Sequence, residues 1–363
     1  MVASPKIKLT PQQQLCPRKL WAFFMFPYCP AQFLAEPNSM VKSLATHRLG
    51  KSGIEVSVIG TGLWAVGGGW GPVDDQNALD AIEASLDAGI NFFDTADVYG
   101  NGHSEELLGK AMRGRRERFV VATKIGWVGY DGKNNRSQYD SVDKLIAGVE
   151  ESLRRLQTDH VDLIQNHIFY REPNTDIFLE GFQRLQRDGK ARAYGLSSSD
   201  FAFIKDFNHD GLCAGLQIDY SILNRTAESE IFPYCQANSI GVIIRGSLAM
   251  GILAGKFNSE TRFPEGDFRR NWHENPDERR IFLEDLDKVE RLRALTNDRT
   301  LSQLALRFVI DHPAVTTVIP GARSPKQARE NVRAGLLPSL TPAERQQINS
   351  LVPPGGGRKI WPA

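Results

Sequence analysis

The sequence predicts an α/β protein built as one (β/α)8 TIM barrel, with an N-terminal β-hairpin ahead of it and extra helices near its C-terminus. Three observations lead there. Short apolar runs alternate with amphipathic helical stretches along most of the chain, the pattern of parallel βαβ units. An open doubly wound sheet has the same local pattern. However, no Gly-x-Gly-x-x-Gly joins the first strand to the first helix, and the glycines within 67–71 run into Pro72. That absence favours the closed barrel. Finally, the C-terminal ends of successive strands carry polar residues, where a barrel places its chemistry.

The elements follow in order. HRLGKSGIEVSVIG reads as a hairpin turning at Ser52–Gly53 and leading into the first strand. In the next helix, DDQNALDAIEASLDAG, Asp74 or Asp75 can cap the start and Gly89 ends it. INFFDTA is a short apolar run suited to a buried parallel strand. Then come helix SEELLGKAM and strand RFVVATKIG, helix DKLIAGVEESLRRLQ and strand HVDLIQNH, and helix IFLEGFQRLQRDGK and strand ARAYGLSS. Helix DFAFIKDF precedes strand GLQIDYS, and helix ESEIFPYCQANS precedes strand GVIIRGSL. Residues 256–277, rich in Arg, Asn and Pro, read as a long loop. Helices near 278–296 and 301–311 lead to strand TTVIPG, helix SPKQARENVRA and a closing helix near 341–351.

Composition narrows the function classes. The 363 residues hold 44 Lys and Arg against 43 Asp and Glu, so no excess charge points to nucleic acid or an anionic membrane. No run of about 18 apolar residues suggests a membrane-spanning helix. The four cysteines, Cys16, Cys29, Cys213 and Cys235, have neither disulfide-scaffold density nor zinc-site pairing. A reducing, cytoplasmic location and no metal are expected.

Residues 1–45 differ from the remainder, 46–363. They are Pro- and Gln-bearing, contain no acid before Glu36, and place Lys6, Lys8, Arg18 and Lys19 ahead of an apolar patch at Leu20–Phe26. A targeting peptide is one reading, although Pro27 cuts the patch short. A disordered tail, or a non-native extension translated from an upstream start with Met40 as the real initiator, is the reading preferred here.

The strand ends supply the chemistry. The second ends in Asp94 with Tyr99 five residues on, the third in Lys124, and the fourth in Asn166 and His167. The fifth ends in Ser197 and Ser198, the sixth carries Gln217 and Tyr220, and the seventh ends in Arg245. Singly, each has a structural reading: a buried ion pair, a satisfied polar residue, a packed ring. Together, FFDTADVYG, VVATKIG and LIQNH resemble the catalytic segments of the aldo-keto reductase superfamily. RLGKSGIEVSVIGTG, YGLSS, QIDYSILNR and VIPGARSPKQARENV extend the resemblance from about Arg48 to Val352.

The resemblance implies a catalytic tetrad of Asp94, Tyr99, Lys124 and His167, and NADPH/NADP+ as cofactor. Reducing a carbonyl requires a hydride at carbon and a proton at oxygen. A phenol is a weak acid near pKa ~10, and a neighbouring ammonium lowers that value. Lys124 is expected to do so, with Asp94 orienting it and His167 hydrogen-bonding the carbonyl oxygen. Ser197, Ser198, Gln217 and Asn166 correspond to positions holding the nicotinamide carboxamide. A hydroxyl capping the next helix is the alternative for Ser198 or Ser199. Arg323 and Gln327 would reach a 2′-phosphate, Glu330 and Asn331 the adenosine, and Gly321 and Ala322 would leave room beside the pyrophosphate at a helix N-terminus.

Two positions depart from the common family pattern. Arg245 stands where many members stack a Tyr on the nicotinamide; a guanidinium can stack there too. It should favour the neutral reduced ring over the cationic oxidised one. Ser247 replaces a usual Pro, and nothing in the sequence explains it. Trp64, Trp70 and Trp127 are candidate walls of a substrate pocket, and 257–275 and 355–363 are candidate loops over its mouth. The expected activity is reduction of a small aldehyde or ketone. The alternatives are a sugar dehydrogenase running in reverse, and a cofactor-binding regulatory subunit of a membrane channel with little turnover.

Overall fold

In the computed structural model, which describes residues 43–67, 74–127, 139–167 and 175–360, two short strands come first. β1 (Thr46–Arg48) and β2 (Glu55–Ser57) pair antiparallel, and Gly53 turns between them in the left-handed region at φ 72°. Eight parallel strands follow: β3 (Thr61–Gly62), β4 (Phe92–Asp94), β5 (Val120–Ile125), β6 (Val161–Asn166), β7 (Ala191–Ser197), β8 (Gly215–Asp219), β9 (Gly241–Arg245) and β10 (Val315–Val318). They pair in sequence order. Parallel bridges Ile59–Val318 and Gly62–Gly321 join the first to the last, closing the barrel.

The helices are α1 (Asp75–Asp87), α2 (His103–Met112), α3 (Val142–Leu156), α4 (Thr175–Arg187), α5 (Phe201–Phe207), α6 (Ile231–Ala237), α7 (Asn271–Glu274), α8 (Pro276–Leu292), α9 (Leu301–Ile310), α10 (Pro325–Leu336) and α11 (Pro342–Leu351). Their starts are chemically marked. Asp74, Ser141, Asp200 and Ser324 each accept a backbone N–H with their side chain, and Thr300 and Thr341 form reciprocal capping boxes. The helices bury one face against the outside of the barrel, where Phe93, Val121, Ile164 and Leu216 meet Leu108, Val149, Phe182 and Phe207. The barrel interior has a separate core. Leu49, Ile54 and Val56 of the hairpin region plug the bottom against Phe92, Ala122, Leu163 and Ile243.

Several expectations are refined. The long loop near 256–277 contains a 3-10 turn at Phe268–Arg270 and α7, and α8 begins at Pro276. Trp272 is buried against Phe263 and Phe282, and the Asn275 side chain accepts from the N–H of Asp277 and Glu278. Aromatic burial and a cap order a stretch whose composition suggested irregularity. Tyr220 leaves the polar set: it is fully buried, and its hydroxyl donates to Glu228 at 2.6 Å. Cys213 and Cys235 are free and buried, and burial pushes each thiol up to about 12. The N-terminal extension lies outside the described residues except for its last three positions. Among the described residues, no helix is long and apolar enough to cross a membrane, and no group of three or more His, Cys, Asp or Glu is placed to hold a metal.

Candidate active site

The upper interior of the barrel holds a buried ion pair. β4 and β5 are register neighbours, with Asp94 beside Ala122. Lys124, two residues further on and inward-facing by strand alternation, donates to Asp94 Oδ1 at 2.6 Å, to the Thr95 carbonyl at 2.8 Å and to Tyr99 OH at 3.1 Å. Lys124 is fully buried and Asp94 nearly so. Burial opposes the ammonium charge, but Asp94 and Tyr99 more than offset it and raise its pKa above the ordinary value.

Tyr99 sits in the loop between β4 and α2. Its backbone N–H donates to Ala96 and its carbonyl accepts from Ser104. Gly67 abuts the same loop: a Cβ there would lie 2.5 Å from the Tyr99 carbonyl carbon. Behind it, the buried Glu105 carboxylate accepts from Thr123 Oγ1 at 2.6 Å and Arg155 Nε at 2.7 Å. Lys124 acts on the Tyr99 pKa in the expected direction but does not set the net shift. Burial raises it, Lys124 pulls it down by less, and the net shift is upward. Sequence reveals the neighbouring ammonium but not the depth of burial.

His167 stands at the rim. Its N–H continues the ladder to Ile125 at 2.9 Å, and its ring meets Tyr99 edge-on, with centroids 5.7 Å apart. Burial first, then Lys124 and Arg245, drive its pKa well below 6.5, so the ring is neutral. Its Nδ1 is buried without a hydrogen-bond partner among the described residues. A neutral ring carries one N–H, and a proton on Nε2 would leave Nδ1 as the unpaired acceptor.

A cavity of about 420 Å³ opens on these groups. Trp64, Asp94, Tyr99, His167, Gln217 and Arg245 line one part of it, and Gly321, Arg323 and Gln327 another. Arg245, half-buried at the end of β9, has its pKa lowered by burial against the opposing pull of Asp219. Arg323 donates its backbone N–H to Gln327 Oε1 at 2.8 Å, just before α10. Asn331 is buried and donates to the Gly321 carbonyl at 3.3 Å, while Glu330 is exposed; neither lines the cavity.

The four proposed carboxamide contacts separate. Ser197 and Gln217 are register partners on β7 and β8, and Ser197 Oγ is buried with no partner among the described residues. A buried hydroxyl beside an amide suits the donor and acceptor of a carboxamide. The Ser198 hydroxyl instead accepts from the Asp200 N–H at 3.1 Å in the turn into α5, which Asp200 caps. Asn166 lies between Gln165 and His167, both on the inner side, so strand alternation turns it toward the helices. Both its polar side-chain atoms are buried and have no partner among the described residues. Trp64 lines the cavity, whereas Trp127 packs on the His167 ring at 5.4 Å and does not. Trp70 lies outside the described residues. Arg269, within the 257–275 segment expected over the mouth, also lines the cavity, as does Met250, which the sequence did not mark; they come from the long segment after β9, where no strand periodicity marks inward positions. Gln165, also missed, touches Asp94.

Residues 58–353 match the model of the aldo/keto reductase family. The chain belongs to the aldo/keto reductase family. It is 37% identical over 285 residues to the aldo-keto reductase YhdN of Bacillus subtilis (strain 168), covering 76% of this chain and 84% of that protein. Among solved structures, a glycerol dehydrogenase from Gluconobacter oxydans superposes with a TM-score of 0.73 at 34% identity, covering 85% and 95% of the two chains. An aldo-keto reductase from Klebsiella pneumoniae in complex with NADPH gives 0.65 at 28% identity, covering 87% and 96%. This aldo-keto reductase is therefore an oxidoreductase with the (β/α)8 architecture that its sequence led us to expect.

Proposed function

We propose that this aldo-keto reductase uses NADPH to reduce aldehydes or ketones to alcohols, with Tyr99 as the proton donor. The observation that carries the reading is Lys124 Nζ, 2.6 Å from Asp94 and 3.1 Å from a Tyr99 hydroxyl beside neutral His167, on one cavity. When bound, the nicotinamide supplies a hydride to the carbonyl carbon. The chain's residues manage the oxygen. His167 donates from Nε2 and orients the carbonyl. Tyr99, kept protonated by its raised pKa, gives the proton as negative charge develops, and Lys124 stabilises the phenolate left behind. Asp94 keeps Lys124 charged.

Ser197 and Gln217 would hold the carboxamide, and Arg245 would stack on its ring. Arg323 and Gln327 would meet the 2′-phosphate, and a bidentate-capable guanidinium there favours NADPH over NADH. The known NADPH complex of the Klebsiella pneumoniae neighbour supports the same cofactor. A small carbonyl compound or sugar is the expected partner.

The test is NADPH binding followed by consumption with aromatic aldehydes, short aliphatic aldehydes, dicarbonyls and aldoses. Turnover on some of these supports a reductase. The reverse reading, oxidation of an alcohol or sugar with NADP+, is favoured by the glycerol dehydrogenase neighbour. Tight binding with turnover only in that direction would select it. No NADPH binding would overturn both.

A further inference from the structure

The Asp94 carboxylate has more partners than Lys124. Its Oδ1 takes the ammonium, while Oδ2 accepts from Gln217 Nε2 at 2.8 Å and from Gln165 Nε2 at 3.2 Å. Gln217 Nε2 also lies 3.4 Å from Gln165 Oε1. All of these residues are almost or fully buried.

An ionised carboxylate only accepts hydrogen bonds. Each glutamine facing Asp94 must therefore turn its NH2 toward it. That fixes both amides by chemistry rather than by the fit of near-identical atoms. Gln165 spends its NH2 on Asp94 and its carbonyl on Gln217. Gln217 then has both N–H groups engaged, one by Asp94 and one by Gln165. Only its Oε1 is left for the cavity that Gln217 lines.

The strands make this meeting possible. Gln165 is the register partner of Lys124 on one side and of Gly195 on the other. Gly195 pairs in turn with Gly215. Gln165 on β6 and Gln217 on β8 are two strands apart, and at that level neither β7 nor β8 has a side chain to separate them. A Cβ on Gly195 would collide with the Gly215 carbonyl oxygen.

We propose that Gln165 is a positioning residue: together with Asp94 it locks the Gln217 amide with its carbonyl toward the cavity, so that this point of the site recognises an N–H donor. The same triangle links recognition of the carboxamide to the pair that serves Tyr99. This inference rests on the NADPH reading above and goes beyond it by assigning a residue that does not touch the cofactor.

The experiment compares dissociation constants, without turnover, for three ligands. NADP+ carries a carboxamide. Its 3-acetylpyridine analogue replaces the amide NH2 with a methyl group. Adenosine 2′,5′-bisphosphate lacks the nicotinamide half. The wild-type protein should prefer NADP+ over the acetylpyridine analogue by about fivefold or more, since a buried acceptor is otherwise left unpaired. Gln165→Met keeps the length of the side chain and removes the amide. It should shrink that preference and weaken NADP+ several-fold, with adenosine 2′,5′-bisphosphate unaffected.

An unchanged preference and unchanged NADP+ affinity in Gln165→Met would overturn the proposal. If that variant does not fold, the wild-type preference still decides: equal binding of NADP+ and the acetylpyridine analogue overturns it. Wild-type protein that binds none of the three ligands overturns the cofactor reading as well. That result is distinct from binding that lacks the preference.

Discussion

The lower and upper halves of the barrel interior are made by the same strands and contrast sharply. On β4, Phe92 is followed two residues later by Asp94; on β5, Ala122 by Lys124; on β6, Leu163 by Gln165; on β9, Ile243 by Arg245. One step of strand alternation, about 6.6 Å, separates an apolar plug sealed by Leu49, Ile54 and Val56 from a ring of charges and amides. The lower layer stabilises by burial and needs only volume. The upper layer places ionisable groups where water cannot screen them, which makes them costly when unpaired and useful when paired. Stability and chemistry thus occupy adjacent levels of one surface.

Removing a charge from the upper layer should be the most damaging change. Lys124→Met leaves the Asp94 carboxylate buried without its cation. A loss of about 3–5 kcal/mol of stability is expected, together with loss of turnover, read by urea denaturation and NADPH consumption. A variant of wild-type stability would show that the pair is not energetically coupled.

The lower layer should respond differently. Leu163→Ala opens a cavity in the plug and should cost about 2–5 kcal/mol. The NADPH affinity of the folded fraction should be unchanged. A large drop in that affinity would erase the distinction between the two levels.

The third prediction concerns pH. The folded state refuses a proton on His167 that the unfolded chain accepts near 6.5. The unfolded state therefore binds more protons below that value, and stability falls as pH drops. The contribution is fully present above about 6.5 and is lost progressively below it, amounting to about 1 kcal/mol near pH 5.5. Between pH 7.5 and 5.5 the wild type should lose more melting temperature than His167→Asn. Parallel losses would mean that the ring is not held neutral.

The smallest effect belongs to Arg245. If its guanidinium disfavours the cationic oxidised ring, Arg245→Tyr should raise NADP+ affinity relative to NADPH by about two- to fivefold. Titration of both forms measures this, and an unchanged ratio removes the idea.

The contrast between layers also explains what the sequence disclosed. The barrel was legible because a buried parallel strand leaves a short apolar run and a helix leaves a capped amphipathic one. Asp94, Tyr99, Lys124 and His167 were legible as segments in order. Gln165 was readable by a simple rule: stepping back by two from His167 gives Gln165 and then Leu163, the inward face of β6. The same rule sets Asn166 apart from Gln165. Burial depth was not legible, and so the sequence showed the downward pull of Lys124 on Tyr99 but not the larger upward one. Neither was α7, nor which residue of the expected 257–275 loop, Arg269, would reach the cavity, since this stretch depends on aromatic packing around Trp272 rather than on a repeating pattern.

The central claim is that Tyr99 delivers the proton. Tyr99→Phe keeps the ring and removes the hydroxyl that Lys124 contacts. With the best carbonyl substrate of the panel, NADPH consumption should fall by about 10²–10⁴-fold, while NADPH binds with wild-type affinity. Turnover within a fewfold of wild type would contradict the account, because some other group would then be supplying the proton.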